Sequence, residues 1–243
     1  MIIKMPQAAD HAQMKALWQL SFGDPMECID TFFATGFAKE RCRIAWEGGV
    51  LGAAYWFDLF WQEKRYALLY AVAVDSARRG TGIGSQLLKS ICEQLKAQGY
   101  AGAVLVPANE SLCGYYERLG FTPFGAATVM QAQSDNTPLA LKEVSWEEYL
   151  RGREGFAWDA PFGMFAQSQC RLYRGEGIWV MCYRELPDVQ EYLGPAEKLP
   201  GVLKALGINS ARVRLSGGNT PTGMCYLFDK TAKPPAYLGP MLD

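Results

Sequence analysis

Six consecutive residues, Arg79-Gly80-Thr81-Gly82-Ile83-Gly84, have the spacing of an anion-binding loop. Glycines at alternate positions let successive backbone N–H groups point into one concavity, and their missing Cβ atoms let a phosphate approach the chain closely. A run with Leu87, Leu88, Ile91 and Leu95 on one face follows, so the loop opens a helix whose N-terminus adds positive partial charge. Arg79 can neutralise a bound anion, whereas Arg78 is read as facing solvent. In a plain turn, three alternating glycines would lose conformational entropy without return. The loop is not the dinucleotide pattern G-x-G-x-x-G, because Leu87 stands three residues after Gly84 and Asp75 to Arg78 intervene after the preceding apolar strand. It also lacks the Gly-Lys-Ser/Thr of a triphosphate loop. These departures argue against NAD and ATP and leave another pyrophosphate ligand.

Other reactive side chains are few. His11 is the only histidine and falls in the first expected helix, so a catalytic triad or a multi-histidine metal site has nothing to build on; an exposed or capping role and no metal are expected. The seven cysteines are scattered with no C-x-x-C pair and read as reduced core residues. Asp58 and Glu63 lie on an aromatic hairpin with Trp56, Phe57, Phe60 and Trp61, and aromatics with carboxylates can grip a cationic amine. A half-buried strand with a charged hairpin end is an equally good reading of that segment.

The elements that must position these residues follow from periodicity. Ile2–Met5 reads as a short strand, then a helix carries Met14, Leu17, Trp18 and Leu20. Asp24-Pro25-Met26-Glu27 supplies an N-cap, an N1 proline and an N3 glutamate for a second helix. Residues 41–46, 50–61 and 65–74 form an antiparallel meander turning at Gly48-Gly49 and Gln62-Glu63-Lys64. After the loop and its helix, the apolar run 103–106 reads as a buried parallel strand, 109–119 as a helix and 121–124 as extended chain, which makes a βαβ unit. Gln131–Pro138 is polar and turn-rich and is read as a linker. Beyond it come a helix capped at Ser145, strands at 170–173 and 178–184, an extended piece at 189–193, a helix near Pro200, strands at 211–215 and 224–228, and an extended tail from Pro234.

The expected fold is therefore α/β with a mixed α+β sheet over residues 1–131, followed by a smaller α+β domain over 132–243. Leu87–Asn109 and Leu199–Asn219 share the order helix, glycine turn, apolar strand and asparagine. A degenerate half-repeat and a chance likeness of two helix–strand units are both open; a repeat would have lost its glycine loop, since Gly194-Pro195-Ala196-Glu197 stands there. Of the 243 residues, 49% are hydrophobic and 20% charged, with a net charge of −1, which suits a folded chain. No run of Lys or Arg points to nucleic acid or an anionic membrane. No bilayer-length apolar stretch or signal peptide is evident, so a cytoplasmic location is expected.

Ala71-Val72-Ala73-Val74-Asp75, Arg79-x-x-Gly82-x-Gly84, Asn109 and Tyr115-Tyr116-Glu117-Arg118-Leu119-Gly120-Phe121 in this order resemble the GNAT acetyltransferase superfamily over residues 1–130. The resemblance implies acetyl-CoA as cosubstrate, with its pyrophosphate on Arg79, Gly80, Thr81, Gly82, Ile83 and Gly84 and its pantetheine arm paired with Val72, Ala73 and Val74. A backbone N–H of that strand would polarise the thioester carbonyl. Asn109 matches a coenzyme-contacting position, and Tyr116 the tyrosine that protonates the departing thiolate; Tyr115 is read as a core aromatic. A phenol near pKa ~10 would need only modest help to protonate a thiolate near ~8.5. The implied reaction is direct acetyl transfer to a primary amine of a small molecule or peptide. The alternative is a non-catalytic acyl-CoA sensor or assembly protein, and a homodimer is compatible with either. A looser resemblance to multi-domain GNATs of the enhanced-intracellular-survival type implies that the tail returns Asp243 to the acceptor side as a base.

Overall fold

The computed structural model describes residues 1–153, 156–185 and 188–236. Its strands are β1 (Ile2–Lys4), β2 (Cys42–Trp46), β3 (Val50–Trp61), β4 (Lys64–Val74), β5 (Gly102–Leu105), β6 (Thr122–Phe124), β7 (Ala127–Gln133), β8 (Lys142–Glu143), β9 (Phe156–Trp158), β10 (Cys170–Gly175), β11 (Ile178–Tyr183), β12 (Val189–Leu193), β13 (Ser210–Ser216) and β14 (Gly223–Leu227). The helices are α1 (His11–Phe22), α2 (Met26–Thr35), α3 (Ile83–Ala97), α4 (Cys113–Glu117), α5 (Trp146–Leu150), α6 (Ala160–Gln169) and α7 (Leu199–Ala205).

The chain forms two compact units that interleave along the sequence. The first takes Met1–Thr122, Gly155–Phe165 and Met224–Pro234; the second takes the remainder. A single break after residue 131 was the sequence expectation, but β9 pairs with β3 and β14 pairs with β5. The stretch read as a linker is in part strand, since β7 pairs with β13 from Ala127 to Gln133. The start of α2 also differs by one position: Pro25 is the N-cap, while the Asp24 carboxylate accepts from Trp18 Nε1 at 2.6 Å.

In the first unit the sheet order is β1-β2-β3-β4-β5-β14-β6. The meander is antiparallel, and β4 and β5 run parallel, joined through α3. Alternation along β3 explains its unbroken apolar run. Ala54 and Trp56 pack on one face with Leu87, Leu88, Ile91 and Leu95 of α3. Tyr55 and Phe57 meet Phe32 of α2 on the other, at ring separations of 5.2 and 5.9 Å. His11 sits half-buried at the start of α1, edge-on to Phe33 and Phe37. Five of the seven cysteines are buried, and burial pushes the thiols of Cys92, Cys170 and Cys225 up to about 12, which makes them inert core residues.

The second unit repeats this plan in outline. Its sheet order is β7-β13-β12-β11-β10-β8, with β12 and β13 parallel and joined through α7. An antiparallel strand then flanks the parallel pair, β7 on β13 here and β14 on β5 in the first unit. This arrangement fits a second half-repeat, with its core formed by Leu199, Val202 and Leu203 of α7 against Val180, Val189 and Val213. Ser145 and Glu148 form the capping box that opens α5. Glu191, fully buried, accepts from both terminal nitrogens of Arg153 at 2.8 and 2.7 Å and from the Tyr149 hydroxyl at 2.5 Å. A carboxylate so placed is tolerable only because its oxygens are satisfied.

Candidate active site

The glycine loop, the end of β4 and helix α4 build the candidate site within the first unit. Gly80 and Gly82 adopt φ of +80° and +85°, values that L side chains rarely take. Gly82 is the N-cap of α3. The loop is solvent-exposed from Ser76 to Gly82. Gly84 is required for a different reason: a Cβ there would lie 2.9 Å from the Tyr115 hydroxyl. The Arg79 Nε donates to the Val74 carbonyl at 3.2 Å, and the Thr81 hydroxyl to the Arg78 carbonyl at 2.7 Å. Arg78 does not simply face solvent, because it pairs with Glu47 at 3.1 Å; both groups are about half exposed, so the pair contributes little stability.

The parallel pairing of β4 and β5 ends early. It covers Tyr66↔Gly102, Ala67↔Ala103 and Leu68↔Val104, while β4 continues to Val74. Ala71 has φ of +46°, and the β3–β4 register shifts between Ala53↔Ala73 and Tyr55↔Tyr70. This bulge bends β4. From Leu69 to Val74 the strand has no ladder partner on its β5 side among the described residues, and it leads directly to the glycine loop. Val72, Ala73 and Val74, expected to pair with an extended ligand, lie on this open edge. Asn109 is exposed four residues past β5, accepting from the Ser111 hydroxyl at 2.5 Å.

The two tyrosines of α4 differ from the sequence reading. Tyr116 is the more buried, at 7% exposure, within the apolar cluster that holds Leu69, Leu105 and Phe121. Tyr115 is half-buried, with its hydroxyl 3.4 Å from the Ser85 hydroxyl at the first turn of α3. Burial, with a smaller contribution from Tyr115, pushes the Tyr116 phenol up to about 12. The phenol therefore stays protonated across the physiological range, but it is a weaker acid than an ordinary tyrosine.

The candidate amine-gripping residues do not gather at the loop. Trp56 is 2% exposed and belongs to the core. Asp58, opposite Ala67, accepts from Arg65 and from the Tyr100 hydroxyl, each at 2.6 Å. Asp159 joins this network: its carboxylate accepts from Arg41 and from the Asp58 N–H, and burial pushes its own pKa up. Sequence reasoning missed the network because its members come from five separate segments. Asp58→Asn is expected to lower stability by about 1–3 kcal/mol and to leave coenzyme binding intact. Urea denaturation and a coenzyme A melting shift check the two halves of that statement. Glu63 is exposed at the β3–β4 hairpin tip with φ of +64°, roughly 30 Å from Val72 along the strand at about 3.3 Å per residue. Asp243 lies outside the described residues.

Comparisons with known proteins agree with this geometry. Residues 11–121 match the family model described as Acetyltransferase (GNAT) family. N-acetyltransferase 8B of Homo sapiens is 35% identical over 79 residues, which span 32% of this chain and 34% of that protein, about a third of its length. A GCN5-related N-acetyltransferase from Kribbella flavida superposes with a TM-score of 0.67 at 17% identity, covering 94% of this chain and 72% of its own. Eis1 from Mycobacterium abscessus does so with a TM-score of 0.66 at 13% identity, covering 94% and 73%. The two structural likenesses speak for the fold, over nearly the whole chain. Described residues include no helix long and apolar enough to cross a membrane. Residues 11–121, which carry the glycine loop, the opened strand edge and the paired tyrosines, are thus similar to the GNAT acetyltransferase family.

Proposed function

We propose that this protein transfers an acetyl or other acyl group from acyl-CoA to a primary amine of a small molecule or peptide, by direct transfer in a ternary complex in the cytoplasm. The observation that carries the reading is the unpaired edge of β4 running into the glycine loop. A pantetheine arm, with its two amides, can add to that edge as a strand would, while its pyrophosphate reaches the loop N–H groups and the N-terminus of α3. The amine nitrogen attacks the thioester carbonyl carbon, a C–N bond forms, and the C–S bond breaks with its electron pair leaving on sulfur.

Tyr116 donates its phenolic hydrogen bond to that sulfur. With the phenol at about 12 and a thiol near ~8.5, complete proton transfer is uphill by roughly 5 kcal/mol. Tyr116 therefore acts first by stabilising the thiolate through the hydrogen bond, and the proton released by the amine restores the balance. A lysine-like acceptor must also lose its own proton, at about 4–5 kcal/mol at pH 7. Asp58 is held by Arg65 and Tyr100, so a water chain serves as base.

The engagement of Asp58 also favours a second reading, a binding protein that holds acyl-CoA without turnover. A screen of acetyl-CoA consumption across polyamines, aminoglycosides, amino acids and peptides separates the two. Thiol release with one acceptor class is the expected result. Coenzyme binding without turnover on any class would support the binder, and no coenzyme binding would end both readings.

A further inference from the structure

The second unit contains a cleft that acyl transfer leaves unused. Its cavity of about 130 Å³ is lined by Val129, Tyr183, Asp188, Gln190, Arg212 and Arg214 together with Val189. That volume is close to the roughly 150 Å³ that accommodates a benzene-sized molecule. Strand alternation explains how the lining arises. Val213, between the two arginines on β13, packs with α7, as do Val189 beside Gln190 and Cys182 beside Tyr183. The lining side chains other than Val189 therefore share the opposite face of the sheet, where Val129 stands across from Arg214 in the β7–β13 register.

Arg212 and Arg214 are two residues apart on one strand, roughly 7 Å between Cα atoms. Two planar guanidinium forks at that spacing suit a small oxyanion better than any neutral ligand. Arg212 is exposed and makes no ion pair among the described residues. The site is not a second copy of the coenzyme cradle. The parallel pair β12–β13 continues, across a register shift after Val189, to Tyr192↔Leu215, and Gly194-Pro195-Ala196-Glu197 replaces the glycine loop.

We propose that this cleft binds a small organic acid, as carboxylate or phosphate, through Arg212 and Arg214. Asp188 reduces the positive charge of the site, so an anion binds there against a nearby carboxylate, which can also accept from an N–H or O–H donor on the ligand. The assignment stands on the second unit alone and is independent of acyl transfer.

Calorimetric titration of the full chain with inorganic phosphate and, separately, succinate at constant ionic strength tests it. The titrations use Gly82→Asp as background, so that the glycine loop does not contribute. Saturable binding of at least one probe is expected. Phosphate alone would assign a phosphate ligand and succinate alone a carboxylate. Arg212→Ala and Arg214→Ala should each weaken binding by about tenfold or more, as loss of a charge-assisted hydrogen bond does. Asp188→Asn should strengthen it, a direction that damaged packing would not produce. Failure of both probes to saturate, binding unchanged by either arginine substitution, or no strengthening in Asp188→Asn would overturn the proposal.

Discussion

Tyr116→Phe is expected to lower kcat by about 100-fold or more on a confirmed acceptor, with coenzyme A affinity nearly unchanged. The substitution removes one hydroxyl and keeps the ring, whose packing against Phe121 at 5.9 Å and Tyr115 at 5.1 Å does not depend on the oxygen. Stability should therefore change little, and a fall in kcat would report chemistry rather than folding. The raised phenol sharpens the test. A general acid acts only while protonated, and burial pushes Tyr116 up to about 12, so its contribution should persist above pH 10, where an ordinary tyrosine has lost its proton. Activity should rise with pH as the acceptor amine deprotonates, and any loss due to Tyr116 should appear only near 12. A Phe variant with full activity would exclude the role. A Tyr116-dependent fall centred on pH 10 would show that the phenol is not buried when coenzyme is bound.

Gly82→Asp is expected to abolish the rise in melting temperature that coenzyme A produces in the parent protein. At φ of +85° an aspartate is among the better tolerated side chains, at a cost of roughly 1–2 kcal/mol. A Cβ at this position has room, its nearest neighbour being the Gln86 amide nitrogen at 3.9 Å. Aspartate is also a favoured N-cap residue, which offsets part of that cost, so the ligand-free protein should melt close to the parent. Bound pyrophosphate would face a new carboxylate. Two like charges about 4 Å apart near a surface repel by roughly 4 kcal/mol, about a 1000-fold loss of affinity. An undiminished coenzyme shift in the variant would sink the loop assignment, whatever the fate of Tyr116.

The elements that the chain builds from neighbouring residues were legible without a structure. The meander β2–β3–β4, the loop opening α3 and the cap at Ser145 each depend on contacts within a few residues, and apolar period, glycine spacing and turn chemistry record such contacts directly. The likeness of α3–β5 to α7–β13 was visible as an echo for the same reason, since each is continuous in sequence. Helix α6 escaped, because Pro161 and Gly163 interrupt any helical pattern. The end of β7, residues 131–133, was read as linker because its polar residues resemble a turn, although Thr128, Val129 and Met130 just before it are good strand formers.

The glycine loop proposed as an anion cradle was legible in the sequence, because such a cradle is made of backbone, and alternating glycines are what such a backbone requires. Only the tertiary structure decided which side chains work with it. Adjacent tyrosines on a five-residue helix point about 100° apart, and no local pattern says which one meets the core; packing against α3 and β5 buried Tyr116 and sent the Tyr115 hydroxyl to Gly84. Asp58 looked available on its strand, yet Tyr100 and Asp159, 42 and 101 residues away, engage it. The open edge of β4 arises from a bulge at Ala71 and from a short β5 whose far side is taken by β14. Each of these outcomes depends on residues far apart in the chain meeting in space, so it is fixed by three-dimensional packing rather than by any local run of residues.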